Sequence, residues 1–206
     1  MARSTARRSW KRPAPGHGGG VEGWIAWYQP ILDVGRGGRA RIVAANAPRE
    51  FVRSARIDGY EALEALSPEE RSLFDLPKSL EQGGYWTRFR DTMRDYRGDD
   101  VEDAEIIATF RSQMTWDSTM AGSIATAFDR EDVERVLHLA GRFHIDLEGG
   151  TVRELRRLRP EASVMTVSCV RVGLDADVLS DDDVDRADIV IYTPIASDRV
   201  TPSSPR

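Results

Sequence analysis

Two short stretches carry the residue types with the greatest chemical capacity. His144 and Asp146 stand two residues apart, between Gly141 and Gly149-Gly150. A His and an Asp at that spacing in a loop can bind a metal, hold a haem or move a proton. Asp117 is the second signal. Phe110, Met114, Ala121, Ile124 and Phe128 form an apolar stripe at helical spacing, extended by Ile106. At about 100° per residue, Asp117 falls at the centre of that stripe, with Gln113 one turn earlier on the same face. A carboxylate aimed into a core is costly unless a cation, a metal or hydrogen-bond donors meet it. The pattern fits a structural Asp satisfied by an Arg or by backbone N–H groups. It fits equally a functional Asp that, with Gln113, meets Asn46, Arg49 or His144 at the strand ends. Trp116 and Met120 flank the pair and can supply apolar walls.

The other polar residues carry blander readings. His138, between Leu137 and Leu139, reads as a neutral, hydrogen-bonded core histidine. Asp146 can orient the His144 imidazole or cap the following helix, and capping is the commoner use. Gly149-Gly150 would admit an anion to a helix N-terminus, although two glycines alone are weak evidence. Arg153, Arg156, Arg157 and Arg159 read as a solvated helix end that complements the helix dipole. Cys169, the single cysteine, excludes an internal disulfide, and its apolar surroundings predict a buried structural thiol. His17 lies in a Gly-rich run that is not a phosphate loop. The sequence contains no Ser-His-Asp set, Cys-His pair or HExxH motif.

The elements that must position these groups follow from pattern. Residues 136–139 read as a buried strand broken at Gly141, and Gly149-Gly150-Thr151 opens a helix to Leu158. That order puts the His144 loop at the carboxyl end of a strand, where open α/β sheets bind ligands. Further strands are predicted at 41–45, 163–170 and 189–192, with helices at 22–34, after Pro48, and over 101–128. Residues 57–100 form a helical excursion that contains a capping box, Ser67-Pro68-Glu69-Glu70. The expected fold is α/β, a mainly parallel sheet with helices on both faces plus the excursion. Four visible strands make a thin sheet, and an N-terminally incomplete domain is one expectation that accounts for it. Residues 1–20 read as a disordered basic leader, 21–196 as the domain, and 197–206 as a disordered tail.

Composition narrows the function classes. The chain has 206 residues, 40% hydrophobic and 31% charged, enough for one globular domain. A net charge of -5 argues against a nucleic-acid partner. No run approaches the roughly 18 apolar residues of a membrane span. The basic N-terminus lacks the apolar segment of a signal peptide, so the expected location is cytoplasmic.

Four stretches in consistent order resemble the ChaN-like haem-binding uptake proteins of the Tiki superfamily. They are the Trp27-Tyr28-Gln29-Pro30 helix, the run from Ile42 to Arg49 containing Asn46-Ala47-Pro48-Arg49, the run from Gln113 to Ala121, and His138 to His144 with Gly141-Arg142-Phe143-His144. The similarity continues through Gly149 to Leu158 and ends at Tyr192-Thr193-Pro194. It implies an α/β domain that binds haem as a small ligand, is associated with iron uptake, and is not an enzyme. His144 and Tyr28 are the implied haem-contacting groups, with Asn46, Arg49, Gln113 and Asp117 lining or bracing the pocket. The wider superfamily includes metal-dependent hydrolases with two Gly-x-x-His loops. An alternative is therefore a divalent metal such as zinc or manganese, with His144 as ligand and Asp117 or Asp146 as second ligand or orienter. A third alternative is a degenerate remnant with no ligand. Family members begin with a strand and a Gly-Glu-x-His-Asp loop that has no counterpart here, and many are membrane-anchored lipoproteins. A homodimer is compatible with the resemblance.

Overall fold

The computed structural model describes residues 23, 25, 26, 28–80, 83–173 and 179–194. The expected leader and tail, His17, Trp24 and Trp27 lie outside the described residues. The chain divides into two compact units, Met1–Ala44 and Ala45–Arg206.

In the first unit, Pro30 starts α1 (Gln29–Gly37), where its missing N–H costs nothing. The Gly38 N–H bonds the Val34 carbonyl at 3.0 Å and ends the helix. None of the α1 side chains is buried. Residues 41–45, expected as a strand, pair with nothing among the described residues, and Ile42 and Val43 are exposed.

The second unit is built on one long helix. The α-helices that accompany it among the described residues are α2 (Arg49–Ile57), α3 (Tyr60–Glu64), α4 (Pro68–Arg71), α5 (Gly84–Arg97), α7 (Arg142–Ile145) and α8 (Gly150–Leu158). The central helix is α6 (Asp103–Phe128). The capping box forms as expected: Ser67 Oγ accepts from the Glu70 N–H, and the Ser67 N–H donates to Glu70 Oε2 at 3.0 Å. Helix α6 is apolar on several sides, so it buries several sides. Its start packs against Tyr85, Trp86 and Phe89 of α5, with the Phe110 ring 5.1 Å from Trp86 and 5.0 Å from Phe89. Its end packs Ala121, Ile124 and Ala125 on Leu155 of α8. Helix α2 docks along the same helix and contributes Phe51, Val52 and Ala55 to a cluster with Leu63 and Phe74.

The chain is mixed α/β, as expected, but the sheet is smaller. Among the described residues it consists of two parallel strands, β1 (Val167–Val172) and β2 (Ile189–Pro194), with Val167 opposite Ile189. The 163–170 expectation thus shifts towards the C-terminus, and the 189–192 strand gains two residues. Residues 136–139 form no strand, and Leu137 is 85% exposed. An apolar run has the composition of a buried strand, but a strand exists only where a neighbour completes its ladder. Cys169 is also corrected. It is exposed, because strand alternation turns Ser168 inward and Cys169 outward.

Candidate functional site

Asp117 lies on α6 with 0% exposure, as its place in the apolar stripe requires. Its carboxylate is met by donors from three directions. Thr151 Oγ1 donates to Oδ1 at 2.7 Å, and the Tyr85 hydroxyl donates to Oδ2 at 2.7 Å. His144 Nδ1 lies 2.8 Å from Oδ1. An ionised carboxylate only accepts, so the shared hydrogen belongs to Nδ1. In the neutral ring Nε2 is then the lone-pair nitrogen, the atom that ligates or accepts. Gln113 Nε2 stands 3.0 Å from Nδ1 and donates to the Tyr85 oxygen at 2.8 Å, which fixes the direction of that hydroxyl.

Local structure explains why these groups converge. Gly149 and Gly150 begin α8, and Thr151 follows in its first turn, so the positive end of the helix dipole faces the Asp117 carboxylate. A Cβ on Gly150 would stand 2.5 Å from Asp117 Cγ and 2.6 Å from Tyr85 Cε1. One on Gly149 would stand 2.6 Å from the Ile145 nitrogen. Gly150 therefore permits close approach of the helix to the network, and Gly149 permits close approach to the backbone of α7. Tyr85 is buried between Phe110 and Phe143, at ring distances of 5.8 and 5.6 Å. Burial, reinforced by the Asp117 charge, raises its pKa far above the ordinary phenol value, so the hydroxyl remains a donor.

The His144 side chain is 19% exposed, and the Trp116 ring meets it edge-on at 6.4 Å. A cavity of about 20 Å³ lies between Tyr85 and Gly150, bordered by Phe110 and Met114. That is room for about one water. A larger ligand does not fit inside that cavity.

The orienting carboxylate is Asp117 and not Asp146. Asp146 is buried, but its Oδ2 accepts from Arg186 Nη1 at 2.9 Å, and α8 has no side-chain cap. His138 is half-buried and outside any strand. Burial, with the nearby His144 as a second cause, lowers its pKa and keeps it neutral. The expected hydrogen bond is absent from its Nε2, which is buried without a partner among the described residues. Of the α8 arginines, Arg156 pairs with Glu148 at 3.0 Å, Arg157 with Glu154 at 2.9 Å, and Arg159 with Asp129. Met120 is buried in the core.

Gln113, Asp117 and His144 are thus brought together. Asn46 and Arg49 are exposed at the start of α2 and are not partners of the Asp117 carboxylate. Tyr28, in the first unit, is 55% exposed. Among the described residues, no group of three His, Cys, Asp or Glu side chains is arranged to hold a metal ion. No described helix is long and apolar enough to cross a membrane. Sequence reasoning did not find Tyr85, Thr151, Arg88 or Arg186. The nearest signals were a Gly-Gly pair just before Tyr85 and another just before Thr151.

A mixed α/β chain whose His144, on the short helix α7 and not in the expected loop, is held through Nδ1 by a helix-borne carboxylate belongs to the class of proteins that present an oriented imidazole. Residues 19–155 match the family described as haem-binding uptake, Tiki superfamily, ChaN, and the chain belongs to that family. It matches no curated protein sequence and no solved structure.

Proposed function

We propose that the protein binds haem through His144 and serves haem or iron uptake, as the family description implies. The observation that carries this reading is the 2.8 Å bond between His144 Nδ1 and the buried Asp117. A carboxylate on Nδ1 fixes the tautomer, holds the ring and raises the basicity of Nε2, which would suit a ligand to haem iron. When bound, haem supplies an iron centre that takes such a nitrogen. Asp117 holds the imidazole, Tyr85 and Thr151 hold Asp117, and Gln113 holds Tyr85. Arg49, exposed and cationic, is the side chain suited to a haem carboxylate, with Asn46 beside it in sequence. Tyr28 is the alternative ligand, since a phenolate also takes haem iron.

Haemin titration followed by Soret absorbance tests the proposal. A saturable shift is expected for the unaltered protein, weakened about tenfold or more in His144→Ala and retained in Tyr28→Phe. Loss in Tyr28→Phe alone moves the ligand to Tyr28. No shift in a folded sample refutes haem binding.

A further inference from the structure

The turn that follows α7, the short helix carrying His144, is held in an unfavourable conformation. Leu147 and Glu148, consecutive and neither of them glycine, have φ of 53° and 56°. L residues seldom adopt this left-handed region, and two in succession are rarer. Such a backbone persists only where its surroundings over-determine it.

Two arginines supply that constraint. Arg186 acts with its backbone and its side chain together. Its carbonyl accepts the Leu147 N–H at 2.7 Å, and Nη1 donates to Asp146 Oδ2 at 2.9 Å. Its Nε pairs with Asp183, and Nη2 donates to the Asp182 carbonyl at 3.2 Å. The Tyr192 hydroxyl of β2 donates to Asp183 Oδ2 at 2.8 Å, which ties the clasp to the sheet. Asp146 Oδ1 is buried with no partner among the described residues, so the pairing of this carboxylate rests on Arg186. From the other side, Arg88 donates to the Leu147 carbonyl at 3.1 Å and to the Phe143 carbonyl at 3.3 Å. These two carbonyls bracket His144.

We infer that Arg186 is a positioning residue for His144. It holds Leu147 and Glu148 in their left-handed form and so keeps Nδ1 on Asp117. Arg186 lies beyond residues 19–155, the segment matched to the family. Its importance for a ligand rests on the proposal that His144 meets haem, but its effect on the imidazole exists in the free protein.

The test therefore uses the free, full-length chain labelled with ¹⁵N-histidine. The readout is the downfield proton resonance of His144 Nδ1–H and its exchange with solvent. Only three histidines contribute signals. Arg186→Ala is expected to accelerate that exchange by about tenfold or more, the factor released by one left-handed residue. Adding Leu147→Gly and Glu148→Gly should return it to near the original rate, because glycine adopts the turn without strain. If Arg186→Ala does not fold, Asp146→Asn with Arg186→Met removes both charges of the pair and permits the same measurement. Exchange unchanged on loss of Arg186 overturns the inference. So does failure of the glycines to rescue, which would show that Arg186 supports the unit as a whole. Absence of haemin binding would refute the haem reading and leave this result standing.

Discussion

Gly150→Ala isolates the geometry of the site in one methyl group. The added Cβ would stand 2.5 Å from Asp117 Cγ and 2.6 Å from Tyr85 Cε1, where ordinary contact begins at 3.4 Å. Closing that gap of about 0.9 Å requires α8, Asp117 or Tyr85 to move. Overpacking of this kind costs about 1–3 kcal/mol. Displacing Asp117 also breaks at least one buried charge-assisted hydrogen bond, worth about 1.5–3 kcal/mol. Against this, alanine gains up to about 1 kcal/mol over glycine in a helix. The φ of Gly150 is not positive, so alanine tolerates the backbone. The expected net loss is about 3 kcal/mol, a fall in Tm of about 9 °C for a chain of this size. Gly84→Ala is the matched control. It also lies in the first turn of a helix, but its Cβ meets nothing within 4 Å. It should be neutral or stabilise by up to about 1 kcal/mol. Urea unfolding of the two variants decides the matter. Equal stabilities, with the His144 Nδ1–H resonance intact in Gly150→Ala, would refute the close packing of α8 on Asp117.

Further predictions concern the same network. Tyr85→Phe removes the donor on Asp117 Oδ2 and the acceptor of Gln113 at almost constant volume. It should cost about 2–3 kcal/mol in urea unfolding, and a loss under about 0.5 kcal/mol would contradict a load on that bond. Asp117→Asn should weaken haemin binding by about 10- to 100-fold while the protein remains folded, and wild-type affinity would dissociate the carboxylate from ligand binding. Burial holds the folded pKa of His138 below the ordinary imidazole value of 6.5, so the unfolded chain binds more protons as the pH falls. The stability this histidine contributes is complete above 6.5 and is lost as pH falls below it through the lowered folded pKa, at up to about 1.4 kcal/mol per pH unit. His138→Gln should flatten the dependence, and an unchanged slope in that variant would assign it to another group.

The sequence made one side of the site legible and not the other. Asp117 and Gln113 could be placed because helical periodicity converts spacing into a shared face, and burial then demands donors. His144 stood out because a glycine on each side marked a break, although the structure places it on the short helix α7 and not in a loop. Tyr85 and Thr151 lie 32 and 34 residues from Asp117, and no periodicity links a hydroxyl to a carboxylate at that separation. The same limit governed the sheet. Residues 136–139 and 41–45 have strand composition, but pairing partners are non-local, and neither segment has one among the described residues. Asp146 was read as a cap from its nearness to α8, whereas its partner Arg186 is 40 residues away. Helix caps fared better, because the Ser67–Glu70 box is complete within four residues.

The central claim is that the imidazole held by Asp117 is the haem ligand. Its most direct test is the hyperfine coupling of the ferric haem iron to ¹⁵N-histidine in the haemin complex. Coupling to one imidazole nitrogen is expected, lost in His144→Ala and preserved in His138→Gln and His17→Gln. Coupling that survives the loss of His144, or a saturable haemin complex with no histidine coupling, would contradict it.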